Sequence, residues 1–471
     1  MTYFPRTRSP SHWLARPLAG VVLTALLGFA APQVRAESLT DALRAAYRNS
    51  NLLEQNQAVL RAADEDVAIA VSALRPVINF ITQAQLRNVR NTGGFLSTPG
   101  EDLNGTMQIS LDLTLYNSGG NQLAIGAAKE TVLATREALV GVEQQVLLSA
   151  VSAYMDVRSA IEFVVLRQRN IRVIDQELQA ARDRFEVGEV TRTDVALAEA
   201  RLAAARSNLS AAEGDLAVAR EAYKAATGAY PGTLSVPPAV PLTARSLDEA
   251  KSIALRTHPA IRQSQHQVAA SELNIQRAQS SMGPTVTTGI DVSIDDDRES
   301  DAVGTLTFSQ PLFRGGQLKA VLRQARANAE ANRAALHQTG VNVTQAVGNA
   351  WSGISVARAQ TDAGLRQIEA AQIAYEGVRE EAKLGARTTL DVLDAEQELL
   401  DAETTRIAAQ NQQYVAVYSL LSAMGLLTAD HLKLGIPTYD PAAYYNLVKN
   451  APPLSPQGGK LDKLLQSIGR N

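Results

Sequence analysis

Asp391 and Asp394 are two acids spaced three apart at the start of a predicted helix. Residues at i and i+3 share one face of a helix. Two carboxylates so placed attract cations and resist joint ionisation. A plainer explanation holds equally well on spacing alone, because an Asp in the first turn of a helix is favoured by the helix dipole. A second acidic group, Asp295, Asp296, Asp297, Glu299 and Asp301, lacks the ligand spacing of a calcium loop and reads as a solvated loop. The chain has no cysteine, which excludes disulfides, thiolate metal sites, iron–sulfur clusters and a thiol nucleophile. Its five histidines form no ligand-spaced cluster, and there is no nucleophile elbow or phosphate loop. No catalytic residue, metal or cofactor is therefore expected, and a secreted enzyme is the weakest reading. With 45 basic and 48 acidic residues the net charge is −3, which gives no reason to expect nucleic acid as a partner.

The acidic pair opens a helix that follows the short turn Leu384-Gly385-Ala386-Arg387. Gly385 suits the left-handed position that ends a helix, and Thr388 or Thr389 suits the N-cap of the next. The same arrangement occurs earlier, with Val187-Gly188-Glu189-Val190 followed by Thr191 or Thr193 and Asp194-Val195. Gly385 lies 385 − 188 = 197 residues after Gly188. Other landmarks repeat in the same order. Ser246-Leu247-Asp248-Glu249-Ala250 follows Ser38-Leu39-Thr40-Asp41-Ala42 by 208 residues, and Leu312-Phe313 follows Leu115-Tyr116 by 197, each pair with Gly-Gly just after it. The chain is thus predicted to be two copies of helix, β-hairpin, long helix, turn, helix. The copies span residues 37–227 and 246–430. A Pro- and Gly-rich linker at 228–245 joins them, and a tail follows at 431–471.

The helix before each turn is very long. Residues 122–185 hold no proline, and Val157, Val164, Ile171, Leu178 and Phe185 recur every seventh residue, with Ala160, Ile174 and Ala181 beside that row. This is a coiled-coil seam. About 65 residues at ~1.5 Å each span roughly 100 Å. Ile354, Ile368 and Tyr375 occupy the matching row of the second copy. Apolar residues make up 45% of the chain but aromatics only 5%, so small side chains dominate, which suits close-packed helices.

Four segments alternate with period two. Met107, Ile109, Leu111, Leu113 and Leu115 oppose Gln108, Ser110, Asp112, Thr114 and Tyr116. Val286, Ile290, Val292 and Ile294 oppose Thr285, Thr287, Gly289, Asp291 and Ser293. Ile78, Phe80 and Leu86 oppose Asn79, Gln83, Gln85 and Arg87, and residues 303–313 set Leu306, Phe308 and Leu312 against Thr305, Thr307 and Ser309. Two hairpins are expected, at 77–116 and 284–313. Such segments suit a transmembrane β-barrel. Four strands cannot close, and an open edge in lipid leaves backbone groups unsatisfied. Two chains would give eight strands and a filled barrel; three would give twelve and an open pore. A conducting protein is therefore expected to be a trimer.

Residues 1–36 read as a signal peptide. Arg6, Arg8 and Arg16 precede an apolar run at 18–31, and Val34-Arg35-Ala36 offers a cleavage site. Removing those residues with Arg35 leaves 41 basic and 48 acidic residues, a net charge of −7. No later apolar run is expected to be long and uncharged enough for a spanning helix.

The stretch Gly385-Ala386-Arg387-Thr388-Thr389-Leu390-Asp391-Val392-Leu393-Asp394-Ala395 resembles the turn of the TolC-like outer-membrane factor family. Gln310-Pro311-Leu312-Phe313-Arg314-Gly315-Gly316 and Leu115-Tyr116-Asn117-Ser118-Gly119-Gly120 resemble its strand-to-helix corners. The resemblance covers residues 38–430. It implies a mixed α+β membrane protein: a homotrimer with a β-barrel in the outer membrane of a Gram-negative bacterium, four strands per chain, continued by an antiparallel coiled-coil barrel through the periplasm. It implies a passive exit duct docked by a periplasmic adaptor and an inner-membrane ABC or proton-driven transporter. Asp391 and Asp394 would then ring the periplasmic constriction, and Arg387 would pair with Asp194 of a neighbouring turn as the gate latch. A tyrosine of the family's latch is replaced here by Ala382. Absence of a lipidation Cys leans the cargo towards protein over drugs. The alternative to the whole scheme is a secreted coiled-coil scaffold without channel activity.

Overall fold

A computed structural model of the chain describes residues 36–89, 100–238, 241, 243–295, 297 and 299–450. The expected signal peptide, apart from Ala36, and the end of the tail lie outside the described residues. The first repeat runs α1 (Leu39–Asn49), α2 (Asn51–Ser72), β1 (Val77–Val89), β2 (Gly100–Tyr116), α3 (Gly120–Glu186) and α4 (Arg192–Thr227). The second runs α5 (Leu247–Thr257), α6 (Pro259–Ser280), β3 (Thr285–Asp295), β4 (Ser300–Ser309), α7 (Gln317–Lys383) and α8 (Thr389–Ala423). A short α9 (Pro441–Val448) follows in the tail.

Both long helices have 67 residues. Each packs along two shorter ones: α3 on α2 and α4, α7 on α6 and α8. The sequence reading gave each repeat a single first helix, and the structure divides it. Ser50 leaves the helical region at φ −77°, ψ 107° and its hydroxyl accepts the Leu53 N–H at 3.2 Å. In the second repeat Pro259 forces the same break. A proline restricts the residue before it to extended backbone, and His258 sits at φ −65°, ψ 125° and caps α6.

The four strands form one antiparallel sheet in the order β1-β2-β3-β4. Its register carries the apolar face across the strands. Phe80 pairs with Ile109 and Ile109 with Val292; Ile78 pairs with Leu111 and Leu111 with Ile290. The other face joins Asn79 to Ser110 and Ser110 to Asp291, and Gln108 donates to the Asp291 carboxylate at 2.7 Å. Strand β4 starts at Ser300 and ends at Ser309, so the expected strand at 303–313 is corrected. Pro311 cannot donate to a ladder, and Leu312 and Phe313 lie beyond it as the exposed corner before α7.

The core forms in patches along the bundle. The largest joins α1, α3 and the chain after α8 around Leu43, Leu147, Tyr154 and Leu427. Contrary to expectation, α3 does contain an 18-residue stretch with mean hydropathy of 1.2 and few charges. Of that stretch 44% is buried within the chain, where its apolar residues serve helix packing. The linker is pinned here as well. Glu37 forms a parallel bridge with Leu234, and its carboxylate accepts the Tyr223 hydroxyl at 2.5 Å. Of the predicted seam, Val157, Ala160, Ile174, Leu178 and Ala181 are buried, but Phe185, in the last turn of α3, is 45% exposed.

Candidate functional site: the turns at the helical end

The end of the bundle remote from the sheet carries two turns of one design. Gly188 (φ 79°) and Gly385 (φ 77°) take the left-handed conformation. After them Glu189 N–H reaches the Arg184 carbonyl and Ala386 N–H the Glu381 carbonyl, both at 2.9 Å. These six-to-one bonds are the Schellman closure of a helix end. Thr191 and Thr388, of the candidate caps, start the returning helices. Each has a reciprocal capping box with the Asp three residues on.

This box accounts for two of the predicted site residues. Asp194 Oδ2 accepts the Thr191 N–H at 2.9 Å and its hydroxyl at 2.8 Å. Asp391 Oδ2 accepts the Thr388 N–H and hydroxyl, both at 2.9 Å. The Thr388 backbone bond, then its hydroxyl, and the Arg387 charge hold the Asp391 carboxyl below its ordinary value. Asp391 is thus ionised at neutral pH and half-buried in the single chain. Asp394 lies one turn further on and accepts Arg201 of α4 at 2.8 Å. Arg387 lies against Glu381 at 2.9 Å. Within one chain Arg387 and Asp194 are not brought together; each is held by its own turn. Ala382 is buried with Tyr375 and Val392, and it offers no hydroxyl to a neighbouring turn.

Several polar ties between the two helical hairpins were not singled out from sequence. Asn170 on α3 donates from Nδ2 to both carboxylate oxygens of Glu396 on α8, at 2.5 and 2.7 Å. Both side chains are buried, and burial pushes the Glu396 carboxyl above its ordinary value. Arg379 on α7 pairs with Glu177 on α3 at 3.2 Å, and Arg169 with Glu403. Leu393, between the two acids, packs into Ile174, Leu178 and Leu202 of the first repeat. No local pattern marks these partners, because each pair joins helices some two hundred residues apart in sequence. The tips themselves are apolar: Val187 and Leu384, equivalent residues of the two repeats, are 71% and 86% exposed.

The model of the outer membrane efflux protein family matches residues 42–229 and 251–426, which together make up well over half of the chain. The chain belongs to that family. The two matched segments bracket the linker and correspond to the two repeats. The outer membrane efflux protein BepC of Brucella suis is 36% identical over 450 residues, covering 92% of this chain and 94% of BepC. The outer membrane protein TolC of Escherichia coli is 25% identical over 430 residues, covering 84% of each. The crystal structure of the Campylobacter jejuni CmeC outer membrane channel superposes with a TM-score of 0.73 at 15% identity, over 94% of this chain and 98% of that one. The expected family and outer-membrane location therefore stand. Members of this family are export channels, and the long paired helices with a terminal sheet are the family's fold.

Proposed function

We propose that three copies of this chain form the outer-membrane exit duct of a tripartite export system, gated where the two turns meet. The observation that carries the trimer is the mismatch between repeats. Inside the chain β2 pairs with β3, α3 packs on α6, and α3 packs on α8. The matching partners of the second repeat are β4 with β1, α7 with α2, and α7 with α4. Among the described residues β4 and β1 do not pair, and neither α7 with α2 nor α7 with α4 packs extensively within the chain. A second copy supplies them, and three copies close a twelve-stranded barrel whose apolar face meets lipid.

The same closure gathers Asp391 and Asp394 from three chains, six carboxylates at one constriction. Arg387 then lies beside the Asp194 turn of the next copy and latches it. With Ala382 at the tyrosine position the latch has one bond fewer. Val187 and Leu384 present six apolar side chains around the mouth, a surface suited to a periplasmic adaptor that couples the duct to an inner-membrane transporter. The pump supplies the energy, and no catalytic step is assigned to this chain. The cargo stays open between proteins and small molecules.

Single-channel recording in planar bilayers tests the reading. Small cation-selective currents, blocked by trivalent cations from the helical side, are expected. The Asp391→Ala/Asp394→Ala double variant should conduct but resist the block. A block that persists in the double variant removes the acidic constriction. A protein that stays soluble without detergent and never inserts removes the duct, leaving the scaffold.

A further inference from the structure

The tail returns along the first repeat. The Tyr439 N–H donates to the Tyr47 hydroxyl at 3.4 Å, the Tyr444 hydroxyl donates to Glu65 at 2.6 Å, and Arg75 donates to the Asn450 carbonyl. Tyr439 and Tyr445 pack on Leu60, Val67 and Val132 of α2 and α3. Beneath them lies Asp64, fully buried, with neither carboxylate oxygen hydrogen-bonded. Arg136 of α3 is the cation facing it, yet its Nε and one terminal nitrogen are also buried without a hydrogen bond, and its guanidinium lies 5.0 Å from the Tyr445 ring centre. The Tyr439 hydroxyl is unpartnered as well.

The second repeat shows the finished form of this pair. Adding 208 to Asp64 gives Glu272, and adding 197 to Arg136 gives Arg333. Those two join at 3.0 Å, with side chains half-exposed and, among the described residues, no part of the tail above them. The first repeat has an acid one methylene shorter, and the described part of the tail covers it alone.

We propose that residues 439–450 are a strap that closes over the unfinished Asp64–Arg136 pair, and that acidification tightens it. An ionised carboxylate without hydrogen bonds is costly to bury. Burial accordingly raises Asp64 to about 6, with Arg136 opposing and Glu65 adding to the rise. Among the described residues, the other charged or titratable groups of this patch include Arg61 on α2 and Tyr439, Asp440, Tyr444 and Tyr445 on the tail. Lifting the strap returns Asp64 to water and towards its ordinary value. The closed state therefore binds the proton more tightly, so closure is favoured below about pH 6 and weakens as pH rises through that value.

Hydrogen exchange of residues 439–450 in the detergent-solubilised full-length protein tests this, with rates corrected for intrinsic exchange. Protection should rise on the order of tenfold from about pH 7.5 to about pH 5. The Asp64→Asn variant, nearly the same size, should lose that dependence at wild-type helix content. The Glu272→Gln variant removes the equivalent charge in the second repeat, away from residues 439–450, and should retain it. Protection that does not vary with pH in the wild type, or that varies equally in Asp64→Asn, overturns the proposal. An equal loss in Glu272→Gln would mark a general effect of charge removal and would also overturn it.

Discussion

Asp391 has two roles at residue scale. Its carboxylate caps a helix through Thr388, and the same ionised group lies half-buried near the tip. Substituting Thr388→Ala removes the side-chain half of the box. It should cost about 1 kcal/mol of local stability, read as faster amide exchange in the first turn of α8, with the acidic charge unchanged. Glu396 behaves differently, because its folded pKa is raised by burial. A raised acid contributes stability below its unfolded value that is lost as pH rises through the folded one. Thermal unfolding should therefore show the wild type losing stability relative to Glu396→Gln as pH rises above the ordinary glutamate range. Equal pH profiles for the two proteins would mean that Glu396 is solvated.

At the scale of elements, glycines decide where helices end. Gly385 has a positive φ but open space around its missing side chain. Gly385→Ala should cost about 1–2 kcal/mol for the left-handed backbone alone. Gly425 combines φ 75° with a position where a Cβ would lie 2.7 Å from the His258 Cα. Because that neighbour is backbone, Gly425→Ala should lower the unfolding midpoint more than Gly385→Ala does. Gly188, Gly385 and their threonine caps were legible in the sequence because helix-end chemistry is local. The division of α1 from α2 was not: Ser50 is an ordinary N-cap inside an otherwise helical pattern. The end of β4 was misplaced because Leu312 continues the apolar alternation, although Pro311 interrupts the ladder first. Asp391 and Arg387 could be found in a short motif, but Arg201, Glu381 and the Asn170–Glu396 pair could not. Their partners lie across the fold or across a turn that changes helical phase.

For the whole molecule, duplication predicts contacts between copies at residue resolution. The pair Asn170–Glu396 becomes Gln367 and Glu199 when each residue is moved by 197 into the other repeat. An amide again faces a carboxylate, and both side chains are exposed in the single chain. Because the chain has no cysteine, Gln367→Cys/Glu199→Cys provides a clean cross-linking test. Oxidation should give covalent dimers and trimers on denaturing gels, and neither single variant should give trimers. Products confined to one chain would contradict the proposed arrangement.

The two hairpins differ in height. Strands β3 and β4 have 11 and 10 residues, close to the roughly 9–11 that cross a bilayer, whereas β1 and β2 have 13 and 17. In the proposed trimer the first-repeat hairpins would stand above the second-repeat ones, giving a crenellated outer rim with three merlons and three gaps.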